Sequence, residues 1–267
     1  MKNLTFKISL IAVVSALVLV SCKDQDGDFN IFSLEDDKQL GAQVDSQIEA
    51  DQSQFPIMSR SQHTAAYGHL DRITNTILNS GQITYRNDFK WETHLIENDS
   101  VLNAFCTPGG YIYVYTGLIK FLESEDQLAG VMGHEIAHAD KRHSTDAMTR
   151  QYGIQTLLGI IFGQDGGAVA RTAVQLKELQ YGRKAESEAD EFSVIYLYPT
   201  EYDARGASRF FEKLINSGQT GGAPTFLSTH PDPGDRVMKI KEKWTSLGGK
   251  VGGVFKTRYD QFKASLP

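Results

Sequence analysis

Cysteine is almost absent: the 267 residues hold two, Cys22 and Cys106. Two cannot build a disulfide framework, so the fold must rest on its own core. Basic charge is also scarce. Twenty-seven Lys and Arg face 33 Asp and Glu, a formal net charge of −6. That leaves no electrostatic footprint for nucleic acid. No apolar run reaches the ~20 residues a membrane-spanning helix needs; Ile8 to Val20 stops short of it. Repeats and long low-complexity stretches are missing as well. What remains is 40% hydrophobic and 22% charged, an ordinary globular composition that excludes collagen-like, coiled-coil and wholly disordered chains. One domain of roughly 200–250 residues is the natural count at this length.

The N-terminus reads as an address. Lys2 and Lys7 precede the apolar stretch, which closes in Leu19-Val20-Ser21-Cys22. This pattern resembles a bacterial lipoprotein box, with small Ser21 before the Cys that takes the lipid. The expected organisation is a signal peptide over 1–21, lipidated Cys22 and a flexible polar tether over 22–31, and a single domain over 32–267. Acidic residues just behind Cys22 resemble export signals of some surface-exposed lipoproteins. With Cys22 lipidated, Cys106 stands alone after Ala104-Phe105 and reads as a small buried hydrophobe.

Helices are expected over 33–50, opened by Ser33, and over 61–80, where Leu70, Ile73, Ile77 and Leu78 share a face before Gly81. The period then shortens. Residues 89–96 and 101–105 favour strands, and Tyr111, Tyr113 and Tyr115 alternate with Ile112 and Val114 after a Gly109-Gly110 turn. A helix over 124–143 begins with Ser124 and Gln127 in a capping-box pattern. Helices follow over 171–197, 203–217 and 235–246, with a Pro-rich loop (STHPDPGD) before the last. Leu157, Leu158, Ile160, Ile161 and Phe162 form an apolar run open to three readings: core, lid or membrane-facing patch. The class is α+β, mostly helical, with a small sheet.

His134-Glu135-Ile136-Ala137-His138 carries the chemistry. Residues four apart lie ~40° apart around a helix axis, so both imidazoles can meet one tetrahedral zinc. Glu135, beside them, is placed as a general base toward a water that zinc acidifies. This spacing on a helix is the metallopeptidase pattern. A chance match is the bland alternative. However, Leu128, Val131 and Met132 give the helix an apolar face, where two His and a Glu are costly without a purpose. A catalytic zinc usually has a third protein ligand. Ser144 stands where a third His of the metzincin arrangement would be, and Lys141 where its Gly would be. Glu186 and Asp190, four apart, can divide the work: one binds the metal, the other fixes a histidine through its second nitrogen. Spacing does not choose between Glu186 and Glu188, and a solvated charged helix face is the alternative. On a continuous helix His143 points about 140° away from His138, which favours a structural role. His63, His69 and His94 have no partner pattern.

GHEIAH, followed by R-x-x-E-x-x-A-D over 183–190, resembles the HtpX- and BepA-like zinc endopeptidases, family forty-eight of the metallopeptidases. These are gluzincins, with a zincin-like domain whose edge strand borders the active-site cleft. The resemblance runs from about Phe32 to about Lys243, taking in LGAQV at 40–44, NAFCTPGGYIYVYTGLI at 103–119 and THP at 229–231. It implies one Zn2+ per chain held by His134, His138 and Glu186, with Glu135 as general base. Asp190 would buttress a zinc-bound His, and Arg183 opens the ligand motif. Gly182 stands where Ser is common.

By the same resemblance, Tyr111, Ile112, Tyr113 and Val114 form the edge strand that pairs with substrate backbone. An ordinary core strand is the alternative. His230 has two readings, a plug in the open zinc position or a loop residue touching substrate or transition state. Arg236 would orient that loop or bind a substrate carbonyl.

The expectation is a zinc endopeptidase of the bacterial cell envelope, lipid-anchored at the outer membrane on its periplasmic side or at the surface. It would act on unfolded or misassembled proteins. The rival is a largely autoinhibited envelope chaperone or assembly factor with a plugged zinc site. No tetratricopeptide-like repeat follows to support it.

Overall fold

A computed structural model of the chain describes residues 30–152, 157, 159–160, 166–217, 225–231 and 233–267. The signal segment 1–21 and Cys22 lie outside these residues, as do Leu158, Ile161 and Phe162. Leu157 and Ile160 are buried in the core. Asn30 and Ile31, assigned above to the tether, belong to the fold. The Asn30 amide donates to Thr145 Oγ1 at 3.0 Å and the Ile31 N–H to Thr149 Oγ1 at 3.3 Å.

Helix α1 (Leu34–Ala50) opens on a complete capping box. Ser33 Oγ accepts the Asp36 N–H at 3.1 Å and Asp36 Oδ2 accepts the Ser33 N–H at 2.7 Å. Helix α2 (Thr64–Leu78) buries the expected face, Leu70, Ile73, Ile77 and Leu78. Three strands follow, β1 (Glu92–Ile96), β2 (Ala104–Thr107) and β3 (Tyr111–Tyr115). Gly109 and Gly110 join β2 to β3 with φ of +77° and +87°, the left-handed backbone a tight hairpin requires.

The strand order is β1-β3-β2, with β1 parallel and β2 antiparallel to β3. This corrects the expectation for Tyr111, Ile112, Tyr113 and Val114: their strand is central, not an edge. The backbone of β3 is committed on both sides, and all five of its residues are buried. The tyrosine alternation reflects two covered faces. Tyr111, Tyr113 and Tyr115 pack with Val44 and Ile48 of α1. Ile112 and Val114 pack with the apolar face of the zinc-motif helix. The edges of the sheet are β1 and β2.

After α3 (Thr116–Phe121) comes α4 (Glu125–Asp140), buried along its whole length. Its first turn places two carboxylates inside the protein, each paired. Glu125 accepts from Arg72, Arg258 and the Tyr202 hydroxyl, and Asp126 from Arg209. The capping box expected at Ser124 does not form. Ser124 Oγ donates to Asp126 Oδ1 at 2.6 Å, while Gln127 Oε1 accepts the Glu123 N–H at 2.9 Å. Helix α4 also ends earlier than expected. Arg142 adopts a left-handed conformation, φ +59° and ψ +28°, and a new helix, α5 (His143–Gln151), starts at a different angle. Two buried contacts hold Arg142 there: its Nε donates to Asp37 at 2.5 Å and its Nη2 to the Phe32 carbonyl at 2.6 Å.

Helices α6 (Gly166–Lys177) and α7 (Arg183–Leu197) stand where one helix was expected over 171–197. Then come α8 (Gly206–Asn216), a single turn α9 (Thr225–Thr229) at the start of the Pro-rich loop, α10 (Pro233–Ser246) and α11 (Lys256–Ala264). Helix α8 approaches α4 backbone to backbone. A Cβ on Gly206 would fall 1.8 Å from the Asp126 carbonyl oxygen, and one on Gly130 would fall 2.1 Å from the Ala207 nitrogen. The result is the expected α+β architecture, with the motif helix enclosed by α7, α8, α2 and β2. No described helix is long and apolar enough to cross a membrane.

Candidate active site

Three segments of chain meet at one buried point. Helix α4 supplies His134, Glu135 and His138, α7 supplies Glu186 and Asp190, and the loop between α9 and α10 supplies His230. His138 Nε2 lies 2.9 Å from His134 Nε2, and His134 Nε2 lies 3.3 Å from His230 Nδ1. Glu186 Oε1 is 3.0 Å from His230 Nδ1 and 3.4 Å from His138 Nε2, while Oε2 is 3.6 Å from His134 Nε2. The donor atoms of these four residues all fall within 4.8 Å of one another.

The ring orientations are fixed from behind. Asp190 Oδ1 sits 2.9 Å from His134 Nδ1 and accepts its N–H, leaving the Nε2 lone pair facing the cluster. Arg236 of α10 grips Asp190 with two nitrogens, at 2.7 and 2.6 Å, and reaches Glu186 Oε2 at 3.0 Å. It also donates to the His230 carbonyl at 3.3 Å. Arg236 therefore orients both carboxylates and the loop, and its guanidinium is 5% exposed. Arg183, by contrast, is exposed at the start of α7.

His138 has a different backing. Its Nδ1 lies 2.9 Å from His143 Nδ1, and His143 Nε2 lies 3.4 Å from Glu188 Oε2. A single proton assignment satisfies this chain: His138 Nδ1–H donates to His143, and His143 Nε2–H donates to Glu188. The break at Arg142 turns His143 back toward His138, which a continuous helix would have forbidden. Glu186 and Glu188, indistinguishable by spacing, thus separate in space. Glu186 joins the cluster, and Glu188 stands behind His143.

Two aromatic residues escaped the sequence reading. Tyr181 stacks on His138 at a centroid distance of 3.9 Å, with its hydroxyl 2.9 Å from Ser144 Oγ. Phe226 stacks on His230 at 4.4 Å. Neither carries a motif; the helix break before Arg183 is the only signal pointing to Tyr181.

The electrostatics suit a cation. Burial lowers the proton affinity of His134 and His138, keeping both rings neutral and able to ligate. Burial pushes Glu186 up, but the charge of His230 and hydrogen bonds from His138 and His230 outweigh it, holding the carboxyl well below the usual range. Burial raises Glu135 to about 7, against the pull of His230. Three buried carboxylate oxygens, both of Glu135 and Oε2 of Glu186, make no hydrogen bond. Two lone-pair nitrogens facing each other beside the Glu186 carboxylate form a donor set that fits zinc, which takes His nitrogens and carboxylate oxygens tetrahedrally.

Strand β2 runs past this centre. The Cys106 amide lowers the Glu135 carboxyl, and the Cys106 thiol feels the Glu135 charge. Cys106 is free and fully buried, and burial pushes its thiol well up, so it is no nucleophile. Asn103, immediately before β2, is buried with both amide atoms unpartnered.

Comparison with known proteins gives a consistent result. The profile of Peptidase family M48 matches residues 64–244, which contain every residue of the cluster. The mitochondrial metalloendopeptidase OMA1 of Schizosaccharomyces pombe is 29% identical over 218 residues, covering 80% of this chain and 63% of its own. The putative beta-barrel assembly-enhancing protease of Vibrio cholerae is 33% identical over 165 residues, covering 57% of this chain and 34% of its own. The mitochondrial metalloendopeptidase OMA1 of Arabidopsis thaliana is 37% identical over 145 residues, covering 53% and 29%. The chain thus spans less than two thirds of the length of each of these relatives.

Proposed function

This chain belongs to peptidase family M48, and from that premise we propose that it is a zinc-dependent endopeptidase. The observation that carries the reading is the convergence of His134, His138 and Glu186 on one point, with the buried Glu135 carboxylate beside it, 3.4 Å from His230 Nε2. His134, His138 and Glu186 would hold a zinc ion, which would supply Lewis acidity to a water and a peptide carbonyl. Glu135 takes the proton of the attacking water on a carboxylate oxygen and passes it to the leaving amine. Asp190 and Arg236 hold His134 and Glu186 in register. β2, an edge strand beside the centre, would offer main-chain groups to an extended substrate, a mode of binding with loose sequence choice, and the Asn103 amide, without a hydrogen bond, lies at its head.

The setting is proposed as the bacterial cell envelope. The Lys2/Lys7 segment and the Leu-Val-Ser-Cys22 box support a lipid anchor on Cys22. The resemblance to proteases named for beta-barrel assembly supports unfolded or misassembled envelope proteins as substrates. Replacing Cys22 with Ala should abolish incorporation of labelled palmitate and release the protein from membranes.

The activity test is digestion of casein by zinc-loaded residues 23–267, with Glu135→Gln beside it. Cleavage should vanish in the variant while bound zinc stays at one equivalent at this centre. Equal cleavage by both proteins would overturn the reading.

One observation favours a closed resting state. His230 lies within the ligand cluster and is 1% exposed, so it takes the position that water and substrate need. His230→Ala should keep zinc and raise the rate of casein cleavage. A fall in rate would instead assign His230 to the transition state.

A further inference from the structure

Across the sheet from α4, on the face covered by α1, lies a second group of ligating side chains. Asp45 and Glu49 stand one turn apart on α1, and His94 comes from β1. One donor atom from each lies within 4.8 Å of the other two. The position is half enclosed. His94 is 4% exposed, Asp45 is buried, and Glu49 reaches solvent.

The contacts are odd for an ordinary polar cluster. His94 Nε2 is buried and 2.9 Å from Asp45 Oδ1, yet it makes no hydrogen bond. The same Asp45 oxygen already accepts the Tyr113 hydroxyl at 2.7 Å, and the Tyr113 ring stacks on His94 at 4.9 Å. No Lys or Arg among the described residues pairs with Asp45 or Glu49. Lys90, near enough to feel the Asp45 charge, is bound to Glu92 at 2.7 Å. Two carboxylates and a buried imidazole therefore converge with no Lys or Arg among the described residues to neutralise them, and the buried imidazole nitrogen makes no hydrogen bond.

We propose that Asp45, Glu49 and His94 form a second divalent-metal site, distinct from the His134 cluster, that takes a zinc-class ion. One imidazole and two carboxylates are a borderline donor set. It suits zinc over magnesium or calcium, which prefer oxygen alone. Tyr113 holds the Asp45 carboxylate from behind, as partners of ligating carboxylates do. Three protein ligands leave one position for water. Because the ligands come from α1 and β1, an ion here ties the N-terminal helix to the sheet, and its role is structural.

The site is tested by counting metal. The purified full-length protein is equilibrated with zinc, dialysed, and its zinc measured by elemental analysis. The wild type should retain two equivalents. The His134→Ala/His138→Ala protein, which lacks the catalytic ligands, should retain one, and zinc should still raise its melting temperature. His94→Gln and Glu49→Gln should each retain one and keep the wild-type rate on casein. Glu49 is exposed, so its variant folds even if the His94 variant does not. One equivalent in the wild type with none in the His134/His138 variant would overturn the proposal. So would two equivalents surviving in Glu49→Gln. Because this count does not use proteolysis, it stands or falls separately from the peptidase reading.

Discussion

His138 is held on three sides: by a neighbouring imidazole at Nδ1, by the Tyr181 ring on its face, and by the cluster at Nε2. Hydrogen bonding to the far nitrogen of a ligating histidine fixes its tautomer and raises its basicity, and losing it typically weakens metal affinity by about 10–100-fold. His143→Ala should therefore bind zinc about 10–100-fold more weakly in competition with a chelator, and Glu188→Gln should show a smaller loss. Unchanged affinity in both would reduce His143 to a packing residue. The ligand-bearing motif was legible in the sequence because its logic is local: two histidines four apart need only a helix. The choice between Glu186 and Glu188 was not, since both lie on one helix and the structure uses both. The structural role expected for His143 holds, but its direction was misjudged, for a sharper reason. Its position depends on a left-handed Arg142, and no glycine or asparagine marks that turn. The side chains that stabilise it, Asp37 and the Phe32 carbonyl, come from about a hundred residues upstream.

Among the elements, α4 shows how packing tolerances place a site. Its register against α8 is set by Gly130 and Gly206, where the backbones touch. Gly206→Ala would drive a methyl group into the Asp126 carbonyl, and a backbone atom cannot rotate away. The cost should be about 3 kcal/mol or more, read as a lower denaturant midpoint at unchanged slope. A midpoint within error of wild type would show that α8 slides freely on α4. The sheet teaches the complementary lesson. Strand periodicity identified β3 to the residue, but an alternating pattern of tyrosine with Ile and Val does not say whether the tyrosine face is wet. Here α1 covers it, and the phenols are apolar enough to serve as core. The edges fall to β1 and β2, and the strand expected over 101–105 lies a little before the observed Ala104–Thr107.

At the scale of the whole molecule, the cluster joins parts of the chain that share little else. α4, α7 and the loop before α10 each bring side chains to the one cluster. Metal bound there stabilises only the folded arrangement, so its removal should lower stability by mass action. Dialysis against a chelator should lower the melting temperature by several degrees, about 2–4 °C per kcal/mol for a chain of this size, and zinc should restore it. An unchanged melting temperature would mean that packing alone holds the three segments together. The α+β class and the apolar face of Thr64–Leu78 were readable in advance, because apolar spacing dictates them, but the breaks at Arg142 and before Arg183 were not. What the sequence could not show was where distant segments meet, above all the reach of Arg236 to Asp190, Glu186 and His230.

That reach has a temporal consequence. A polypeptide leaves the ribosome, or threads through a translocation pore, from its N-terminus. His134, Glu135 and His138 emerge early, but Glu186 and Asp190 follow tens of residues later. The guanidinium that neutralises and aligns both carboxylates waits until residue 236. A partly delivered chain therefore carries the HEIAH motif without the carboxylates and the guanidinium that complete the cluster, and the centre assembles only once residue 236 has been delivered.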